Sequence, residues 1–237
     1  MISALMRTLL AGARNSVARR GWIGTLKLAP HKTLSLLGEW TFDWRYGLDT
    51  TTLVGIEELD VRSAKTRHAH GYEAAQVFIF REMMAALPVP LQDFVFIDFG
   101  SGKGRTLLLA THYPFKKIIG VEWSAQLNEV ASRNLQRYRT RRRKCRQVET
   151  VCADASTYPL PADHPLICFF YNPFKESLLA QTMANIGSSL SAAPRDLFVL
   201  YLNPENAQVT DRCAFLKRML TTQYYIIYRN QGGVVAG

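Results

Sequence analysis

Apolar residues along this chain fall into two patterns that alternate. Short continuous runs read as strands: Phe94 to Ile97, Ile118 to Glu122, Val148 to Cys152, Leu166 to Tyr171, Leu197 to Leu202 and Tyr224 to Tyr228. Runs that are apolar throughout suit parallel strands covered on both faces. The intervening stretches repeat every three or four positions, as helices do. From Glu73, residues Ala74, Val77, Phe78, Phe80, Met83, Met84 and Leu87 form a broad stripe that Pro88 and Pro90 terminate. Further helical patterns cover Thr106 to His112, a stretch from a Ser124 N-cap through Tyr138, and Glu176 to Leu190, with a last helix ending near Leu220.

This alternation predicts an α/β fold, a doubly wound and mostly parallel Rossmann-like sheet with helices on both faces. Residues 67–237 make up that domain, and residues 1–66 a basic amphipathic arm and an aromatic-rich linker. Only one strong strand follows the last helix, so its partner is either the short Val234-Val235 stub or missing. In the arm, Ile2, Leu5, Met6, Leu9, Ala13 and Val17 share one helical face, and residues 1–38 hold no acid. Its apolar segments are too short and interrupted for a secretory signal. A helix packed on the domain, a membrane-surface helix and an organelle-targeting segment all remain open for it. Trp40, Phe42, Trp44 and Tyr46 crowd the linker, which is expected to lie against the domain as a strap or a lid.

Composition narrows the classes. At 237 residues, 48% hydrophobic, the chain builds a sizeable core and excludes wholesale disorder. Its 4 cysteines show no Cys-x-x-Cys spacing, which predicts a reducing compartment with neither disulfides nor a zinc site; no metal ligands are assigned. No apolar run reaches bilayer-spanning length. The expected location is cytoplasmic, with a membrane-peripheral or organelle-targeted variant carried by the arm.

The candidate chemistry begins where the first strand ends. Asp98 is followed by Gly100, Gly102 and Gly104 on alternate positions. Three such glycines let a ligand lie against bare backbone, and the acid suits a ligand with hydroxyl or ammonium donors. A dinucleotide fingerprint needs a third glycine where Arg105 stands, and a phosphate-binding P-loop needs glycine at Ile97 and Ser or Thr at Gly104. Both are excluded, and Gly102-Lys103 is a false friend. Ligands of such sheets bind beyond the carboxyl ends of the strands, where the sequence places Asp98, Glu122, Asp154, Asn172 and Asn203.

The glycine-rich turn resembles the first motif of class I S-adenosylmethionine-dependent methyltransferases, and the resemblance runs from about Tyr72 to Tyr228. It implies S-adenosyl-L-methionine as cofactor. Asp98 then holds the methionine ammonium, Glu122 accepts from the ribose hydroxyls and Asp154 from the adenine amine. Ser101, Trp123 and Ala155 join Gly100, Gly102 and Gly104 as cofactor-binding positions. Tyr171-Asn172-Pro173-Phe174 is similar to the Asn/Asp-Pro-Pro-aromatic motif of methyltransferases acting on nitrogen, with one proline absent. In that motif the Asn172 oxygen accepts from the substrate amine, and Phe174 offers an aromatic wall. More narrowly the chain looks like bacterial methyltransferases related to protein-lysine methyltransferases. In those a Tyr-x-Pro-Thr-like element precedes the first strand; here Tyr72-Glu73-Ala74-Ala75 keeps only the tyrosine, a candidate for the active-site wall. The implied acceptor is a protein amine ahead of a nucleic acid. A cofactor-binding protein without catalysis is the reading of another class.

Charge adds one feature. Of a formal +10, seven cations fall within the ten residues from Arg137 to Arg146. The run joins a helix to the next strand, so it lies at the amino ends of the strands, opposite the methyl donor. It reads as a solvated or docking face for a polyanion or membrane, poorly placed to orient a reacting base.

Overall fold

The computed structural model describes residues 42–52, 76–172 and 174–231. After a helical turn, α1, over residues 42–46, the elements are α2 Val77–Ala85, β1 Val95–Phe99, α3 Arg105–Ala110, β2 Lys117–Glu122, α4 Ala125–Arg137 and β3 Val148–Cys152. They continue with β4 Leu166–Tyr171, α5 Glu176–Ala192, β5 Leu197–Leu202, α6 Ala207–Asp211, β6 Leu216–Thr221 and β7 Tyr225–Asn230. Glu73, Ala74 and Ala75, the expected start of the second helix, lie outside the described residues, as do the arm and the 66/67 boundary. Ser124 caps α4 as expected, its hydroxyl accepting from Leu127 N.

The seven strands take the order β3-β2-β1-β4-β5-β7-β6. All pairs from β3 to β5 are parallel, and β7 runs antiparallel to both β5 and β6. The chain winds outward from β1 to β3 and then returns to lay β4 on the other side of β1. That reversal is the switch point where doubly wound sheets open a crevice beyond the strand ends.

Alternation along the strands sorts the core into two layers. Ile97, Phe99, Cys168, Phe170, Val199 and Tyr201 face α5 through Leu179, Met183 and Ile186. Phe96, Ile167, Phe169, Phe198 and Leu200 face α2 and α3 through Phe80, Met83 and Leu107. Every residue of β1 and β5 is buried, which explains why these strands read as unbroken apolar runs.

The end of the chain departs from expectation. The last helix stops at Asp211, and Leu216–Thr221 is a strand that completes an antiparallel hairpin with β7. Val234-Val235 lies outside the described residues. Leu216, Met219 and Leu220 have helical spacing, yet the register shifts between Arg218 and Leu220. The bulge breaks the period of two, so Leu216 packs in one core layer and Leu220 against the other.

Candidate active site

The glycine loop is built by its own backbone. Gly100 N and Ser101 N donate to Val121 O at 2.8 and 3.2 Å, and Gly104 N donates to Ser101 O at 2.8 Å. Gly100, Gly102 and Gly104 have φ of 79°, 52° and 80°, in the left-handed region that favours glycine. Gly120 on β2 supports the loop from below: a Cβ there would stand 2.6 Å from Leu107 Cδ1 and 2.7 Å from Ser101 Oγ. The Ser101 side chain is therefore tucked against the sheet, buried and without a hydrogen-bond partner among the described residues.

Glu122 ends β2 and is 3% exposed. Its Oε2 accepts from Gly102 N and its Oε1 from Ser124 N, each at 2.9 Å. The carboxylate thus fixes the curl of the loop and the entry to α4, and each oxygen keeps acceptor capacity for a further donor. Burial raises its pKa, partly offset by the hydrogen bonds from Ser124, Gly102 and Trp123. Asp98, on the neighbouring strand, is held well above the usual carboxylate range by burial and then by Glu122, with a hydrogen bond from Thr106 acting the other way. Two buried acids that resist ionising together suit a ligand that brings ammonium and hydroxyl donors.

These shifts have a pH consequence. The folded protein holds the two protons more tightly than the unfolded chain does. Their stabilisation is complete below the unfolded pKa of about 4 and is lost as pH rises through the raised values. Asp98→Asn cannot ionise there, so its melting temperature should decline less than wild type across that window. Parallel declines would remove Asp98 as the source.

The other expected positions fall at successive strand ends. Asp154 follows β3, half-buried, with Oδ1 accepting from Ser156 N at 3.0 Å and Ser156 Oγ at 2.8 Å. Trp123 is half-buried beyond Glu122, whereas the Ala155 side chain is a core residue. Asn172 follows β4 at φ 39°, buried, and its Oδ1 accepts from Tyr201 Oη at 3.4 Å. Phe174 is 3% exposed, in the core beside Phe170 with ring centroids 6.4 Å apart. Asn203 (φ 50°) shapes the β5–β7 end, its N donating to Tyr224 O at 2.8 Å. Tyr72 and Pro173 lie outside the described residues.

Two sets of polar contacts near the site were not anticipated. Tyr201, read only as an apolar strand residue, donates to Asn172 and accepts from Asn206 N at 3.4 Å. Burial pushes its phenol up to about 12, so it stays protonated as a donor. The second group ties residues 42–52 to the glycine loop as a strap. Lys103 Nζ, buried, lies 2.8 and 2.9 Å from the two Asp49 carboxylate oxygens. Asn134 of α4 donates to both Asp49 O and Lys103 O at 2.9 Å. Arg105, 1% exposed, donates to Thr50 Oγ1 at 2.8 Å and sits 4.9 Å over the Phe42 ring. Asp43 accepts from Thr50 N, Thr50 Oγ1, Thr51 N and Thr51 Oγ1 within 2.5–2.8 Å. The crowded aromatics of the linker had pointed to a strap or a lid; the signal for its polar ties was Lys103, a loop cation with no phosphate-binding motif to use it.

Strand order and a glycine loop at the switch point together define the class I methyltransferase fold. A solved structure with a TM-score above 0.5 agrees with this architecture. The PH0226 protein from Pyrococcus horikoshii OT3 matches with a TM-score of 0.51 at 12% identity, over 73% of this chain and 94% of that one. An RNA methyltransferase from Salinibacter ruber in complex with S-adenosyl-L-homocysteine matches with a TM-score of 0.45 at 17% identity, over 67% and 94%. YcgJ from Bacillus subtilis matches with a TM-score of 0.41 at 19% identity, over 56% of this chain and about half, 54%, of that protein. Identities this low speak to the fold alone. No protein-family model matches the chain, and no curated protein matches it.

Proposed function

We propose that this protein is an S-adenosylmethionine-dependent methyltransferase acting on a nitrogen of a protein, a lysine side chain or an amino terminus. The observation that carries the reading is the buried Asp98–Glu122 pair around the glycine loop, with Asn172 at the end of the adjoining strand β4. The donor set fits the cofactor: a carboxyl for its ammonium at Asp98, acceptors for ribose hydroxyls at Glu122, and a loop without side chains at Gly100 and Gly102. When bound, S-adenosylmethionine supplies an electrophilic methyl carbon on sulfonium.

The chain's own residues then have positioning to do. Asn172 Oδ1, oriented by Tyr201, accepts an N–H of the incoming amine and aims the nitrogen lone pair. Held by Asp98, Glu122 and the glycine loop, the cofactor would supply the methyl group to that nitrogen, and the amine's proton would pass to solvent. In-line displacement of this kind gains mostly from alignment and exclusion of water.

Labelled methyl transfer into cell extract, followed by protease or nuclease digestion, tests the reading. Label released by protease and retained through nuclease is the expected result; the reverse would move the acceptor to nucleic acid. With a lysine acceptor, the rate should climb from pH 7 towards the reference pKa of about 10.4, because the neutral amine is the nucleophile. A flat profile would argue against lysine.

A further inference from the structure

The connection between α4 and β3 is a second feature with chemistry of its own, at the opposite edge of the sheet from Asp98 and Glu122. The strands between the two edges span about 17–20 Å. Tyr138 and Cys145 are buried, Thr140 and Arg143 are half-buried, and Arg139, Arg141, Arg142, Lys144 and Arg146 are exposed, with exposed Arg137 at the end of α4 beside them.

The connection is well anchored. Lys144 N and Cys145 N both donate to Thr111 O, at 2.7 and 3.1 Å. Tyr138 Oη lies 2.7 Å from His112 Nε2, and its ring packs 4.7 Å from that of Tyr46. Arg143 Nε donates to Cys145 O at 3.1 Å. The cations are therefore displayed on a held backbone, with their entropy of ordering partly met in advance.

None of these cations forms an ion pair with a carboxylate among the described residues. Elsewhere on the surface pairing is common, as in Lys117–Glu149, Arg133–Glu129, Arg218–Asp211 and Arg229–Asp196. An ordinary solvated face mixes both signs; this one concentrates a single sign and bears the self-repulsion. Arg81 of α2 widens the patch. It acts with Arg142 and Lys144 on His112, whose imidazole is held below its usual pKa by burial first and by these cations after it.

We infer that the α4–β3 connection, through Arg139, Arg141, Arg142, Lys144 and Arg146, docks the phosphodiester backbone of a nucleic acid. A chain of phosphates is the partner that a cluster of like charges on a held backbone neutralises. A bilayer is the weaker fit, because no apolar side chain in the connection is exposed to insert between lipids. The exposed large apolar residues described, Trp44, Phe78 and Met219, belong to other elements. Docking on the far edge from the glycine loop makes the nucleic acid a platform that holds the protein, not the group that receives chemistry. The inference stands apart from the proposed methyl transfer and is tested without it.

The test is fluorescence anisotropy of a labelled 20-nucleotide poly(U) strand with the full chain, from 50 to 200 mM salt. About five neutralised phosphates predict a slope of log K against log salt of roughly −3 to −4. The triple variant Arg139→Ala/Arg141→Ala/Arg142→Ala should bind at least about tenfold more weakly at 50 mM salt. Its slope should be shallower by about 2. Any contribution from the basic arm is common to both proteins and cancels in this difference. Arginine-to-lysine changes at the same positions should retain binding, because charge and not fork geometry does the work. A melting curve and S-adenosylhomocysteine affinity, both expected to match wild type, verify that the alanine variant is folded. Absence of poly(U) binding by wild type would overturn the proposal, as would identical slopes for wild type and the alanine variant. Loss of binding to phosphatidylserine vesicles with poly(U) binding intact would assign the loop to a membrane instead.

Discussion

Glu122→Gln should weaken binding of S-adenosylhomocysteine by roughly ten- to a hundredfold and lower the melting temperature as well. The wild-type carboxylate presents one acceptor oxygen to Gly102 N and the other to Ser124 N, both at 2.9 Å in a buried setting. An amide of the same shape has one acceptor and one donor. Whichever way it turns, one backbone N–H then faces an NH₂ group. Losing a hydrogen bond to a charged group costs about 1.5–3 kcal/mol, and each 1.4 kcal/mol is tenfold in affinity. The loop that would receive the ligand also loses one of the contacts that curls it. Calorimetry with the demethylated cofactor reads the first effect and thermal unfolding the second. Wild-type affinity in this variant would take Glu122 out of the site.

Asn172→Gly should slow methyl transfer by about a hundredfold or more while cofactor affinity stays near wild type. Glycine is chosen because residue 172 sits at φ 39°. An alanine there would add about 1–2 kcal/mol of backbone strain and confuse a local distortion with lost chemistry. Removing the side chain deletes the acceptor that aims the amine, and misplacement by about 1 Å costs on the order of a hundredfold. Asn172→Asp keeps an acceptor and should retain part of the rate. Tyr201→Phe removes the donor to Asn172 Oδ1 and should produce a milder loss of the same kind. Transfer at the wild-type rate by Asn172→Gly would reduce Tyr171-Asn172-Pro173-Phe174 to a strand-ending turn.

What was legible in the sequence depended on how local its cause was. β1, β4 and β5 are covered on both faces, so burial wrote them as continuous apolar runs and their polar ends stood out. Asp98, Asn172 and Asn203 at those ends were picked out for that reason. β6 was misread as helix because its bulge replaces the period of two with a spacing of three and four. The two backbone bonds of Glu122 depend on how the glycine loop curls, which no residue type announces. Lys103 and Arg105 meet partners 54 and 55 residues away in the chain, beyond the reach of any local pattern.

The bulge in β6 also bears on how the molecule behaves among its own copies. A sheet's outermost strand exposes unpaired N–H and C=O groups on which a strand from another molecule can grow. Here the outermost strand carries exposed Lys217 and Arg218, and the register breaks at Met219 directly after them. An incoming strand would meet two cations and then find its hydrogen-bonding groups out of step within a few residues. This edge therefore disfavours edge-to-edge pairing, and among the described residues the sheet ends at β6.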